Sequence, residues 1–288
     1  MKSLSLRGFV VVFASCVLVW GPLATAADFF IAPAGNDGQP GTPEQPMATL
    51  AAARDAARKT ENGPHRMIVT PGDYFLTEPL QFDASDNGLS IEAGEGGAAV
   101  LHGGTPVVGW RRDGDRFWCA DAPGVKEGTR DFRALVVNGR LAERARLPES
   151  GTFLHKNTWN VRYLSSVGGG FEREATEEEL HTLLYDPKDM PTTLDVNNAE
   201  VRVYHMWDES LCGVARNDTQ RHALVLSTPP RFPAGAFRVK KYVLLNTREG
   251  MTRPGQWYLD RSTGRVVYWP LPEEDMSKAQ VVAPLLEK

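Results

Sequence analysis

The stretch His65-Arg66-Met67-Ile68-Val69-Thr70-Pro71-Gly72-Asp73-Tyr74-Phe75-Leu76 decides how the chain is read. Met67-Ile68-Val69 is a run of β-formers stopped by Pro71-Gly72, and Tyr74-Phe75-Leu76 follows at once. The rhythm continues through Leu80-Gln81-Phe82, Leu89 to Ala93, Ala99 to His102 and Pro106-Val107-Val108. Gly, Asp or Asn clusters separate these short segments at roughly ten-residue spacing. Such spacing suits a sandwich, and equally a solenoid of short parallel strands.

Upstream, Phe29-Phe30-Ile31-Ala32 predicts a strand, and residues 34–42 form a loop dense in turn formers. A helix is predicted over about Thr49 to Lys59, with Leu50, Ala53 and Ala57 on its apolar side and Arg54, Arg58 and Lys59 on its wet side. A solenoid end must be capped, and this helix stands where a cap belongs.

Downstream the segments lengthen. Phe132 to Val137, Leu141 to Arg146, Ala199 to Met206, Ala223 to Ser227 and Lys240 to Leu245 are β candidates. Trp257 to Asp260 and Arg265 to Trp269 flank a turn containing Gly264, a hairpin signal. A second helix, about Glu177 to Leu184, opens on a capping box of Thr176 and Glu179. This region predicts an antiparallel β domain.

Ile31-Ala32-Pro33-Ala34-Gly35-Asn36-Asp37, Pro40-Gly41-Thr42, Gln45-Pro46, Ala48-Thr49-Leu50 and Ala53-Arg54-Asp55-Ala56, running into Ile68 to Tyr74, resemble the amino-terminal signature of exported right-handed parallel β-helix (pectate-lyase-like) proteins. Leu135 to Arg140, Arg144 to Pro148, His205-Met206-Trp207, Asn246 and Pro254 to Asp260 with Gly264 and Tyr268-Trp269-Pro270 fit a subgroup of them. That subgroup resembles β-helix glycoside hydrolases of the α-L-fucosidase and xylanase type. The implied fold class is all-β: the start of a right-handed parallel β-helix with an amino-terminal capping helix, plus an inserted antiparallel β domain. The implied organisation is a signal peptide over 1–26, cap and first rungs over 27–109, the inserted domain over 110–275, and a strand re-entering the β-helix over 276–288. Catalytic carboxylates of such enzymes line later rungs, so the resemblance implies that this chain is a truncated front part, inactive alone. Gln256 stands where relatives often carry Glu. A non-catalytic carbohydrate-binding or surface β-helix protein and a polysaccharide lyase remain alternatives to a hydrolase acting on plant or algal polysaccharide.

The 288 residues carry a net charge of −4, so there is no basic footprint for nucleic acid. Lys2 and Arg7 precede an apolar run from Phe9 to Trp20, and Ala24-Thr25-Ala26 supplies small residues for cleavage near Ala26-Ala27. This reads as a bacterial-type signal peptide, giving a secreted or periplasmic protein with no membrane segment after cleavage. Beyond it, Cys119 and Cys212 either pair or stand as independent buried thiols. No CxxC or HExxH occurs, so no metal site is expected. Calcium is a weaker option at Asn36-Asp37-Gly38, where turn formation also accounts for the residues.

Catalytic residues are not identified by the sequence. The most suggestive group is His205-Met206-Trp207-Asp208-Glu209, with Asp208 and Glu209 as acids, His205 as imidazole and Trp207 as a sugar platform. On a strand, His205, Trp207 and Glu209 would share one face and Asp208 the other. The competing reading is an inward Trp with solvated acids at a strand end. The expected partner is a polysaccharide or glycan.

Overall fold

A computed structural model describes residues 26–60, 63–165 and 169–286. The signal-peptide reading falls outside these. The protein is mostly β, and the described chain divides into two compact units. One runs to Tyr74 and resumes over Leu80–Leu101; the other comprises Phe75–Pro79 and the chain from His102 onward.

In the first unit, β1 (Asp28–Ile31), β2 (Arg66–Val69) and β4 (Ser90–Ala93) form a parallel sheet in strict register. Ile31 lies beside Val69, and Val69 beside Ala93. β3 (Gly72–Phe75) pairs with β5 (Ala99–His102). The bonds from Gly72 N to Ala98 O and from Leu76 N to His102 O keep a constant offset, so that pair is parallel too. Helix α1 (Leu50–Lys59) starts where the sequence predicts, its first turn held by Thr49, whose hydroxyl accepts from Ala52 N. Leu50, Ala53 and Ala57 join Phe29, Ile31, Met47, Met67, Val69 and Tyr74 in one core. Gly35 is required by close approach: a Cβ there would lie 2.1 Å from Met47 O. Leu80-Gln81-Phe82, expected as a strand, is a loop, because Asp83 caps a short 3₁₀ turn at Ala84–Asp86 and the segment finds no strand partner.

The second unit holds three sheets. β10 (Arg140–Leu141), β9 (Val136–Val137), β21 (Val281–Pro284) and β6 (Gly104–Pro106) make the first. Segment 276–288, read as a strand re-entering the rungs, contributes β21, which pairs antiparallel with β6 and β9. The second sheet runs β11 (Glu143–Arg144), β19 (Gln256–Asp260), β20 (Arg265–Tyr268), β8 (Phe117–Asp121), β7 (Arg111–Asp113). Its β19–β20 hairpin is the predicted one, with Gly264 at φ 71° in the turn. The third is ordered β12 (Arg146–Leu147), β18 (Lys241–Leu245), β15 (Glu200–Tyr204), β16 (Glu209–Asp218), β17 (Ala223–Leu226), β14 (Thr182–Leu184), with β13 (Phe153–Leu154) also on β18.

Three expectations change here. Phe132 to Val137 is strand only at its end, because Phe132 buries its ring against Trp257, centroids 5.7 Å apart, without pairing its backbone. Leu141 to Arg146 is not one strand: Ala142 N bonds to Leu135 O and Ala145 N to Trp257 O, passing the chain between sheets. Helix α2 spans only Glu177–His181, although its capping box forms as expected. Thr182–Leu184 pairs with β17 instead, burying Leu183 completely. Burial in the sheet overrides the helical propensity of one more turn.

Valines 201 and 203 turn into an apolar core with Leu183, Leu224, Tyr242 and Leu244. Glu200, Arg202 and Tyr204 therefore point to the other face. There Glu200, only 4% exposed, meets three guanidinium groups: Arg144 at 2.5 Å, Arg133 at 2.8 Å and Arg261 at 3.0 Å. Burial works to raise the Glu200 carboxyl, and Arg144, then Arg133 and Arg261, outweigh it and hold the group below the usual range. Asn246, fully buried at φ 61°, adds a second tie: its amide donates to Asn198 O and Leu259 O and accepts from Leu259 N. Cys119 and Cys212 are free, buried thiols in separate apolar clusters.

Two stability outcomes follow from these buried groups. Replacing Glu200 by Ala leaves the buried Arg144 with no carboxylate, Asp131 staying beside Arg133 and Arg261, and should cost ~3–5 kcal/mol in urea unfolding; a loss under about 1 kcal/mol would show that the cluster holds nothing together. His155, 1% exposed, is pushed down to about 4 by burial and by the positive Lys240. Between its ordinary value near 6.5 and about 4, the unfolded imidazole binds a proton that the folded one refuses. Stability should therefore fall as pH drops through that window, by up to ~3 kcal/mol. In His155→Phe that part of the slope should vanish; an unchanged wild-type-minus-variant difference from pH 7 to 4 would contradict it.

Candidate functional site

The group singled out in the sequence closes the β15–β16 hairpin. Tyr204 pairs with Glu209, and His205 N donates to Asp208 O at 2.9 Å, so His205 to Asp208 form the turn. The expected strand alternation therefore does not hold: the four side chains fan out from a reversal of the chain. His205 is 7% exposed, its Nε2 lies 3.0 Å from Ser210 Oγ, and its ring meets Phe232 edge-on. Burial lowers the His205 imidazole, with Asp208 opposing and Arg231 adding to the effect. Asp208 pairs with Arg231 at 3.1 Å and Glu209 with Arg202 at 3.1 Å. The two acids are thus engaged by separate arginines and not offered jointly to a substrate.

Trp207 is the outlier among the described tryptophans. It is 68% exposed, whereas Trp159 and Trp257 are buried, so the inward-Trp alternative fails. Its ring meets Phe237 edge-on at 4.8 Å. Phe237 in turn packs against Phe232, Phe171 and Tyr163, at 5.2–5.5 Å between centroids. Phe237 and Arg238 both lie in the left-handed region, at φ 55° and 62°. A bulky residue is held there only where its surroundings determine its position, and Phe237 has aromatic neighbours on several sides.

Two hollows flank this aromatic group. One, of about 400 Å³, is lined by Trp159, Tyr163, Phe171, Phe237 and Arg238 among others. The other, of about 580 Å³, is lined by Leu154, Tyr204, His205, Met206 and the chain from Arg238 to Lys241. Sequence reasoning, guided by tryptophan, missed Tyr163, Phe171, Phe232 and Phe237. They are scattered from residue 163 to 237 with no common spacing, and Phe232 and Phe237 lie nearest each other in the chain.

Other candidates resolve into structure. Asp37 accepts from Ala48 N, Thr49 N and the Thr49 hydroxyl, and Asn36 from Gly38 N, so both residues of the calcium candidate serve the turn and helix start. Among the described residues, no group of three or more His, Cys, Asp or Glu side chains is placed to hold a metal. Gln256 is fully buried and its Oε1 accepts from Thr252 N and Arg253 N. It shapes a loop and meets no solvent.

No protein-family model matches the chain, and no curated protein matches it. Among solved structures, one described as "Glycoside hydrolase" is similar at 24% identity with a TM-score of 0.67, covering 91% of this chain and 47% of its own. A second, described as "The complex structure of XylC with xylose", is similar at 13% identity with a TM-score of 0.35, covering 90% of this chain and 31% of its own, too distant to carry an argument. The chain spans about half the length of the first neighbour and shares its fold over nearly all of its own residues.

Proposed function

We propose that this chain is the amino-terminal part of an exported carbohydrate-active protein of the right-handed parallel β-helix type, and that its parent is a glycoside hydrolase acting on plant or algal polysaccharide. One observation carries the reading: the fold likeness to a structure described as a glycoside hydrolase over 91% of this chain. The parallel, in-register strands β1, β2 and β4 support the first rungs and α1 their cap within 27–109. The antiparallel sheets support an inserted domain over 110–275, with 276–288 leading back toward the rungs. Export through cleavage near Ala26-Ala27 belongs to the same proposal.

In this reading the chain itself binds glycan and the reaction is carried elsewhere in the parent. Asp208 and Glu209 are each tied to an arginine, which supports a place outside the reacting pair. Trp207 offers an exposed ring face backed by Phe237, the arrangement that stacks on the C–H face of a sugar. Met206, half exposed beside it, extends the apolar surface.

Affinity electrophoresis against a panel of neutral and acidic polysaccharides tests this. The chain should bind at least one neutral glycan without releasing reducing sugar, and Trp207→Ala should weaken that binding about tenfold or more, about 1.4 kcal/mol. Release of reducing sugar that Asp208→Ala or Glu209→Ala abolishes would move catalysis into this chain. Binding to no glycan would sink the proposal.

A further inference from the structure

The outer face of the third sheet carries a charge pattern at odds with the protein's net charge of −4. A groove of about 270 Å³ there has Val243, Leu245, Leu211 and Tyr204 in its lining, together with Arg133, Arg144, Arg146 and Arg202. Glu143 is its one lining carboxylate, and it pairs with Arg253 outside the groove. Tyr204 also lines the 580 Å³ hollow beside the hairpin, so one residue borders both spaces. That hollow adds Arg238, Lys240 and Lys241 and no carboxylate. Among the described residues none of these three pairs with a carboxylate, and Arg146 finds only a backbone acceptor, Gly151 O.

The ion pairs beneath do not exhaust the positive charge. Glu200 and Asp131 serve Arg133, Arg144 and Arg261, and Glu209 serves Arg202, while Arg146, Arg238, Lys240 and Lys241 face no carboxylate among the described residues. Donors therefore outnumber acceptors in a partly enclosed groove, where an arriving oxyanion gains more than at an open surface. Guanidinium groups match the planar oxygen pairs of carboxylates and sulfates by paired N–H donation. Arg133 and Arg202, about half and two-fifths exposed, stand at the open side. The apolar floor beside them suits a sugar ring.

We propose that this face binds oxyanion-bearing saccharides, the carboxylate or sulfate meeting Arg146 and Lys241, with the chain running past Tyr204 between them. The inference rests on the glycan-binding reading above and specifies its substrate class.

The test measures binding of the full chain to polygalacturonate, dextran sulfate, a neutral β-glucan and poly-glutamate, at 0.05 M and 0.3 M salt. Polygalacturonate or dextran sulfate should bind at least tenfold tighter than the β-glucan at low salt, and the stronger of the two identifies carboxylate or sulfate. That preference should shrink at high salt as screening shortens. Arg146→Gln with Lys241→Gln should remove it while β-glucan binding and the circular dichroism spectrum stay unchanged. Should the double variant misfold, Lys240→Gln with Lys241→Gln, both off the Glu200 cluster, must still reduce the preference severalfold. Equal binding of charged and neutral glycans, a preference untouched by the substitutions, or equally tight binding of poly-glutamate would each overturn the proposal. In the first case the glycan-binding reading survives; binding of no saccharide at all defeats both.

Discussion

The Glu200 carboxylate is the interaction on which the second unit depends. It projects from β15 on the face opposite the Val201–Val203 core, and it is nearly excluded from water. A lone buried charge there would be prohibitive, so the fold brings Arg144 from β11, Arg261 from the turn after β19, and Arg133 from the preceding loop. Glu200 and Arg144 lie on strands of two different sheets, so their pairing ties those sheets together. Asn198 and Asn246 continue the polar seam: Asn198 accepts from Arg261 N, and Asn246 bridges β18 to β19.

That seam also sets the electrostatics of the outer sheet face. Three guanidinium groups gathered on Glu200 and Asp131 leave a positive surplus beneath a groove that Arg133 and Arg144 help to line. The apolar faces of the sheets are meanwhile consumed by three cores, one around Trp257 and Tyr268, another around Tyr242 and Leu244, and a third around Phe117 and Tyr258. What remains for recognition is therefore polar and basic along the strands, and aromatic at the hairpin tip.

Local chemistry was legible residue by residue. Thr49 and the Leu50-Ala53-Ala57 stripe specify α1 because cap and stripe are encoded within three turns. Gly264 and its flanking β-formers specify the β19–β20 hairpin, and Thr176 with Glu179 marks the start of α2. Legibility ended where a distant partner decided the outcome. Thr182 to Leu184 leaves the helix because β17, some forty residues later, offers a strand edge. Leu141 to Arg146 breaks because its amides serve carbonyls in different sheets. At the candidate site, His205 to Glu209 stood out by composition, but its geometry as a turn depended on β15 and β16 pairing across it.

By itself, then, the sequence determined the β-rich class, helix α1, several of the turns, and which short stretch concentrates aromatic and acidic groups. Each depends on contacts within a few residues, where propensity and capping act directly. Tertiary structure alone decided that Trp207 faces outward on a bed of phenylalanines, that Asp208 and Glu209 are held by separate arginines, and that arginines spread from 133 to 202 line one groove. Those outcomes turn on the mutual satisfaction of buried charges and faces drawn from distant strands, and no local pattern records which strands will meet.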